Sequence, residues 1–194
     1  MNKVKQAPLT TTKAQALDLG RHYLQTLGYN AFSFQLIADE LGIKKASLHY
    51  HFASKEDLGL ALIADYEAAY IESVEKMKDL SALQKLTRMT RIFCRMSQDQ
   101  KKLCPLGVLA VDFNTVPAKM QKRLLDFHKI QQNWLITTLK QGLKEKSLKK
   151  DLDLNFTADL ILAAIQGGLL MARVRGESAT LENMLEKLIK DIKR

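Results

Sequence analysis

The sequence predicts an all-α fold of about nine helices, an N-terminal three-helix bundle followed by a larger helical domain. Three observations carry this. The 194 residues include only 9 Gly and 3 Pro, too few for the turns of a many-stranded protein. No stretch alternates apolar and polar residues with period two for long enough to make a strand. Apolar residues recur instead at helical spacing between recognisable starts and stops. Hydrophobic residues make up 46% of the chain, so it can bury a core and does not read as disordered.

Residues 10–27 read as the first helix, with Ala14, Leu17, Tyr23 and Leu24 near helical spacing. Thr10, Thr11 or Thr12 can cap its start, and Gly28 ends it. Ser33 is the next N-cap, ahead of the stripe Leu36, Ile37 and Leu41, and Gly42 is the stop. A short helix follows over 45–51. Ser54-Lys55-Glu56-Asp57 fits a capping box and opens a long helix through Leu58, Leu62 and Tyr66 to about residue 78. Further helices are expected at about 82–99, 105–114, 117–146, 155–174 and 178–193, with Pro105 and Pro117 in first turns and Gly176 as a stop. There is no internal repeat. The functional boundary falls inside the long helix, giving domains 1–58 and 59–194 that are rigidly joined.

The second and third helices have the spacing of a helix-turn-helix. Ala38 is small where two helices cross, Gly42 can take the left-handed turn, and Leu48 can anchor the second helix on the first. A generic αα-hairpin fits the spacing too.

The formal charge is +9 and the pI about 9.5, which suits a polyanionic partner. Residues 1–57 carry 7 Lys+Arg against 5 Asp+Glu, so most of the excess lies in the C-terminal part. If the N-terminal part binds nucleic acid, it does so by placing its basic groups rather than by bulk charge. Cys94 and Cys104 make no disulfide framework, the stretch MNKVKQAPLTTTK lacks the apolar run of a signal peptide, and no 18 residues are uninterruptedly apolar. A cytoplasmic protein without a membrane partner is expected. No Gly-x-Ser-x-Gly, phosphate loop or His-Glu-x-x-His occurs, and His22 and His128 stand alone, so neither an enzyme nor a cofactor is expected. In His49-Tyr50-His51-Phe52 the two histidines point about 200° apart on a helix, and no third ligand sits at useful spacing, so no metal is expected. Phe52 shares a face with Leu48 and belongs to the core.

The stretch LGYNAFSFQLIADELGIKKASLHYHFASKEDL, residues 27–58, resembles the DNA-binding half of TetR/AcrR-family transcriptional repressors. The resemblance rests on Gly28-Tyr29, Ser33, Ile37-Ala38, Leu41-Gly42-Ile43, the run Lys44 to Phe52, and Ser54 to Leu58. Ala46 departs from a common glycine and His49 from a common tyrosine, the second bearing on base preference. The resemblance implies a homodimer on a double-stranded DNA operator. Tyr50 would bond a phosphate, and Lys44, Lys45, Ser47 and His49 would line the groove-facing side, with Ser33 counted among the DNA-binding residues. Lys55 and the amides of the helix opened by Ser54 suit another phosphate, while His51 either packs beneath its helix or reaches DNA.

Met89, Phe93, Met96, Leu106, Phe113, Phe127, Ile130 and Trp134 make a dense apolar and aromatic region. It is either ordinary core or, as the resemblance implies, the wall of a small-molecule pocket whose filling releases DNA. The pocket set is then Met89, Phe93, Met96, Cys104, Phe113, Phe127, Gln131 and Trp134, with Asp112, Asn114, Gln131 and Asn133 available to orient an unknown inducer. Small residues at Ala163/Gly167 and Ala164/Gly168 allow close helix approach, either inside the chain or across a two-fold axis. The resemblance favours a dimer interface of Ala164, Gly167, Gly168 and Met171 within a four-helix bundle. Cys104 precedes Pro105 at a helix start near Lys101 and Lys102; it is either an activated thiol that senses oxidants or electrophiles, or a small buried apolar side chain. The expected function is a homodimeric repressor of a palindromic operator, read by helix 45–51 and released by a small molecule or an electrophile/oxidant. The alternatives are a nonspecific basic architectural DNA-binding protein and an enzyme that uses the C-terminal pocket.

Overall fold

In the computed structural model, which describes residues 11–98 and 102–194, these residues form nine α-helices. Thr10 and Lys101 lie outside the described residues. The helices are α1 Thr12–Leu27, α2 Phe34–Leu41, α3 Lys45–His51, α4 Lys55–Glu75, α5 Ala82–Gln98, α6 Pro105–Val111, α7 Ala118–Lys144, α8 Leu154–Arg175 and α9 Ala179–Ile192. The expected caps are made: Thr11, Ser33 and Ser54 accept from the N–H of Ala14, Leu36 and Asp57. α6 ends earlier than expected, because the chain turns at Asp112 and Thr115 N–H bonds the Asp112 carbonyl.

Helices α1 to α3 close on Ala16, Leu24, Phe32, Ile37, Ala38 and Leu48, all nearly or fully buried. Gly42, at φ 65°, ends α2 in a Schellman motif: Ile43 N–H bonds the Ala38 carbonyl at 3.0 Å and Gly42 N–H the Asp39 carbonyl at 3.2 Å. That turn sets α3 against α2, pinned by Leu48 from within. Leu58, Leu62 and Ile63 of α4 are buried and carry the small core into the larger one. Burying one such side chain stabilises by about 1.5–3 kcal/mol, so a cut within α4 would sever both cores. The larger domain packs α5, α7, α8 and α9 against one another, with α4 lying on α7 and α6 bridging α7 and α1.

Helix α8 divides its apolar residues between two faces. Ile161, Ile165, Leu169 and Ala172 are buried, while Phe156, Leu160, Leu170, Met171 and Val174 are exposed. By length and composition alone α8 could cross a membrane, although no run of 18 uninterrupted apolar residues announces it.

Candidate functional site

In α3 only Leu48 is buried, so Lys45, Ser47, His49 and Tyr50 stand exposed together with Lys44 at the N-cap. Tyr50 is 87% exposed, and no core packing accounts for its size. The His49 ring lies 4.9 Å from that of Phe34, and its Nδ1 is 3.2 Å from the Ala53 carbonyl, which fixes the ring at the end of α3. His51 is half-buried against Tyr50, and Phe52 is core. Ser33 is exposed, but its hydroxyl is engaged as the α2 cap. Lys55, expected at a phosphate, lies across the rings of Tyr29 and Phe32, its ammonium 4.4 and 5.0 Å from their centroids. Desolvation there holds its pKa below the usual lysine value, against the pull of Asp112.

The end of α1 is tied to the larger domain at several points. Gln25 Nε2 donates to the Leu103 carbonyl and Leu103 N–H to the Gln25 carbonyl, each at 3.1 Å. Arg173 of α8 donates to the Thr26 carbonyl at 2.9 Å. Asp112, at the end of α6, accepts from the Tyr29 N–H and from Asn30 Nδ2. Midway along α1, Arg21 pairs with Asp65 of α4.

A cavity of about 520 Å³ opens between α6, α7 and α8. Leu106, Gly107, Ala110 and Phe113 line it from α6 and its exit, Leu124, Leu125, His128 and Gln131 from α7, and Asp159, Leu162, Ala163 and Gln166 from α8. Gln131 is 5% exposed, and its Oε1 is buried without a hydrogen-bond partner. Gln166 is held at the wall, its amide N–H donating to Cys104 Sγ at 3.5 Å. At the rim, Gln132 donates to the Asp159 carboxylate at 2.5 Å.

Of the residues expected on the pocket, Phe113 and Gln131 line this cavity. Met89, Phe93, Met96, Cys104, Phe127 and Trp134 do not; they pack in or against the core. The reason is helix phase: Phe127 and Trp134 turn to Tyr70 of α4, whereas Leu125, His128 and Gln132 turn toward α8. Asp112 bonds the α1–α2 turn and is not on the cavity. Gln166 and Asp159 were missed; the one available signal was a glutamine within the otherwise small and apolar run Ala163 to Gly168. Cys104 sits at the α6 N-cap as expected, but it is buried and its side chain caps nothing.

The expected dimer residues separate into two faces of α8. A Cβ on Gly168 would lie 2.5 Å from Leu181 Cδ1, so Gly168 belongs to the internal contact with α9, a correction that its small size alone could not reveal. Ala164 likewise packs against the core. Gly167 and Met171 lie on the outer side, where a Cβ on Gly167 meets nothing within 4 Å and Met171 is 44% exposed. Among the described residues, no group of three His, Cys, Asp or Glu side chains could hold a metal ion.

Residues 16–62 match the family model described as bacterial regulatory proteins, tetR family, and residues 82–188 match the tetracyclin repressor-like C-terminal domain. A TetR transcriptional regulator from Legionella pneumophila is 32% identical, with a TM-score of 0.83 over 96% of this chain and 100% of that one. A TetR-family regulator from Agrobacterium tumefaciens reaches a TM-score of 0.90 at 23% identity, covering 94% and 98% of the two chains. The HTH-type transcriptional repressor DhaR of Mycobacterium sp. (strain GP1) is 20% identical over 91% of this chain and 89% of its own.

Proposed function

Because the chain belongs to the tetR family of bacterial regulatory proteins, we propose that it is a homodimeric repressor that binds a palindromic operator through α3 and lets go when a small molecule fills the α6–α7–α8 cavity. The observation that carries ligand control is the double duty of α6. Its residues Leu106, Gly107 and Ala110 form one wall of the cavity, and Asp112 at its end holds the turn that leads into the DNA-binding half. A ligand that displaces α6 would therefore move residues 1–58 relative to residues 59–194. Competent half-sites lie about 34–36 Å apart or at multiples of that spacing, so a few ångströms of movement weaken binding.

Tyr50, with Lys44, Lys45 and Ser47, supplies groups for phosphate and base edges, and His49 supplies a ring at the place where base preference is set. The outer face of α8, Phe156, Leu160, Gly167, Met171 and Val174, supports a second copy as its cover and not a bilayer, since an operator-binding protein acts in the cytoplasm. The repressor named among its relatives supports repression over activation. A second reading, release by an electrophile or oxidant at Cys104, draws support from the position of this thiol at the N-cap of α6.

The deciding experiment is selection of bound sequences from a random DNA library in the presence of competitor DNA. A two-fold symmetric consensus is expected, and His49→Ala should alter it. Enrichment of no sequence would favour the nonspecific architectural alternative. Turnover of a bound molecule would favour the enzyme.

A further inference from the structure

We propose that the α6–α7–α8 cavity takes an uncharged, largely apolar molecule bearing one hydrogen-bonding group, such as a hydroxyl, that pairs with the side-chain amide of Gln131. The inference rests on the reading of this cavity as the inducer site and deepens it by naming the ligand's chemistry.

Three observations converge. First, Gln131 stands on the buried side of α7 between Phe127 and Leu135, where an apolar residue would continue the pattern, and its Oε1 is buried with no partner. Buried polar groups in folded proteins are nearly always satisfied, so an amide without partners on a cavity-lining residue marks where a hydrogen-bonding group belongs. The neighbouring amide of Gln166 does not supply it: its nitrogen donates to Cys104 Sγ and its carbonyl end sits against Gly107.

Second, no lysine or arginine lines the cavity; its ionisable side chains are Asp159 and His128, both exposed at the rim. A carboxylate or phosphate ligand would pass the Asp159 carboxylate and find no cation in the buried part of the cavity to replace its water. An ammonium would meet a neutral amide at depth, because the carboxylate lies at the exposed rim and is already bonded to Gln132. Neutral ligands avoid both penalties. Third, the walls are otherwise mainly apolar, and about 520 Å³ is room for a molecule of a few fused or linked rings.

The test is equilibrium dialysis of the full chain against four probes with one body and four head groups: 2-naphthylmethanol, 2-ethylnaphthalene, 2-naphthoate and 2-naphthylmethylammonium. The alcohol should bind about tenfold more tightly than the ethyl isostere, which cannot hydrogen-bond, and more tightly than either ion. Gln131→Met, of similar length, should abolish the alcohol's advantage over the ethyl compound. If that variant does not fold by circular dichroism, Gln131→Leu serves, and the order of the four probes on the parent chain decides in any case. Equal binding of alcohol and ethyl compound overturns the inference. So does tightest binding of either ion, failure of all four to bind, or an alcohol advantage that survives in Gln131→Met. Operator affinity is measured separately with 2-naphthylmethanol present. The expected probe order without any change in DNA affinity keeps the cavity's chemistry and removes its role as the inducer site.

Discussion

The main-chain N–H of Tyr29 donates to Asp112 Oδ2 at 2.9 Å, while the other oxygen of the same carboxylate takes Asn30 Nδ2 at 3.0 Å. One side chain at the end of the cavity helix thus holds the turn between α1 and α2. Asp112→Ala should destabilise the chain by about 1–3 kcal/mol, since it removes a charged acceptor from a half-buried N–H; Asp112→Asn should lose less. Urea unfolding measures the loss. The sharper readout is coupling: in Asp112→Ala the ratio of operator affinities with and without a cavity ligand should fall toward one. A ratio equal to that of the parent chain would show that the signal travels elsewhere.

Lys55 and Tyr50 should respond differently to removal. Tyr50 is almost fully exposed, and Tyr50→Phe should weaken binding to all DNA sequences by a similar factor. Lys55 braces the rings of Tyr29 and Phe32, so Lys55→Ala should reduce stability by about 0.5–2 kcal/mol. The slope of log affinity against log salt should stay as it was. If that slope drops by about one charge's worth, Lys55 swings out to a phosphate on DNA and the brace is released.

Two substitutions on α8 separate folding from assembly. Gly168→Leu forces a side chain into Leu181 and should loosen α9 from α8, costing about 1–3 kcal/mol. Val174→Asp falls on the outer face, 78% exposed, and should leave the unfolding of the single chain nearly unchanged while lowering the dimer's association constant. Light scattering across a concentration series, paired with circular dichroism, reads both. A Val174→Asp protein that stays dimeric at the same dilution as its parent would place the interface on another face.

The two thiols should differ in rate. Cys94 is half-buried, and burial pushes its thiol up; Cys104 is only 5% exposed. Iodoacetamide should therefore label Cys94 before Cys104 in the folded chain, and denaturant should bring the rates together. Faster labelling of Cys104, with loss of operator binding that Cys104→Ser prevents, would support the electrophile reading.

Helix existence, order and caps were legible in the sequence because they are local. Ser33 and Ser54 cap as their positions predict, and Gly42 supplies the left-handed residue that the turn requires. The family likeness was legible for the same reason: its signature is concentrated in the compact stretch 27–58. What stayed hidden was phase across long distances. Met89, Phe93, Phe127 and Trp134 carry the same apolar label as Leu106 and Leu124, and only the rotation of α5, α6 and α7 about their axes separates core from cavity. Gly167 and Gly168 are identical neighbours, yet about 100° of helical rotation puts one at the surface and the other under Leu181. The aromatic seat of Lys55 was hidden because Tyr29 and Phe32 are more than twenty residues away in sequence.

The ties at the end of α1 also bear on how freely the two halves can be recombined. On the head's side, the Gln25 carbonyl, the Thr26 carbonyl and the Tyr29 N–H are main-chain groups, which every sequence of the same backbone presents. The groups that grip them, the Leu103 N–H and the side chains of Arg173 and Asp112, come from the other half. The larger domain therefore recognises the shape of the α1–α2 corner more than its residues. A foreign DNA-binding half with the same corner would dock with these grips intact and give up the side-chain contacts of Gln25 and Asn30 and the Arg21–Asp65 pair. Operator preference and ligand response can in this way drift apart in evolution, or be exchanged by graft, without rebuilding the joint between them.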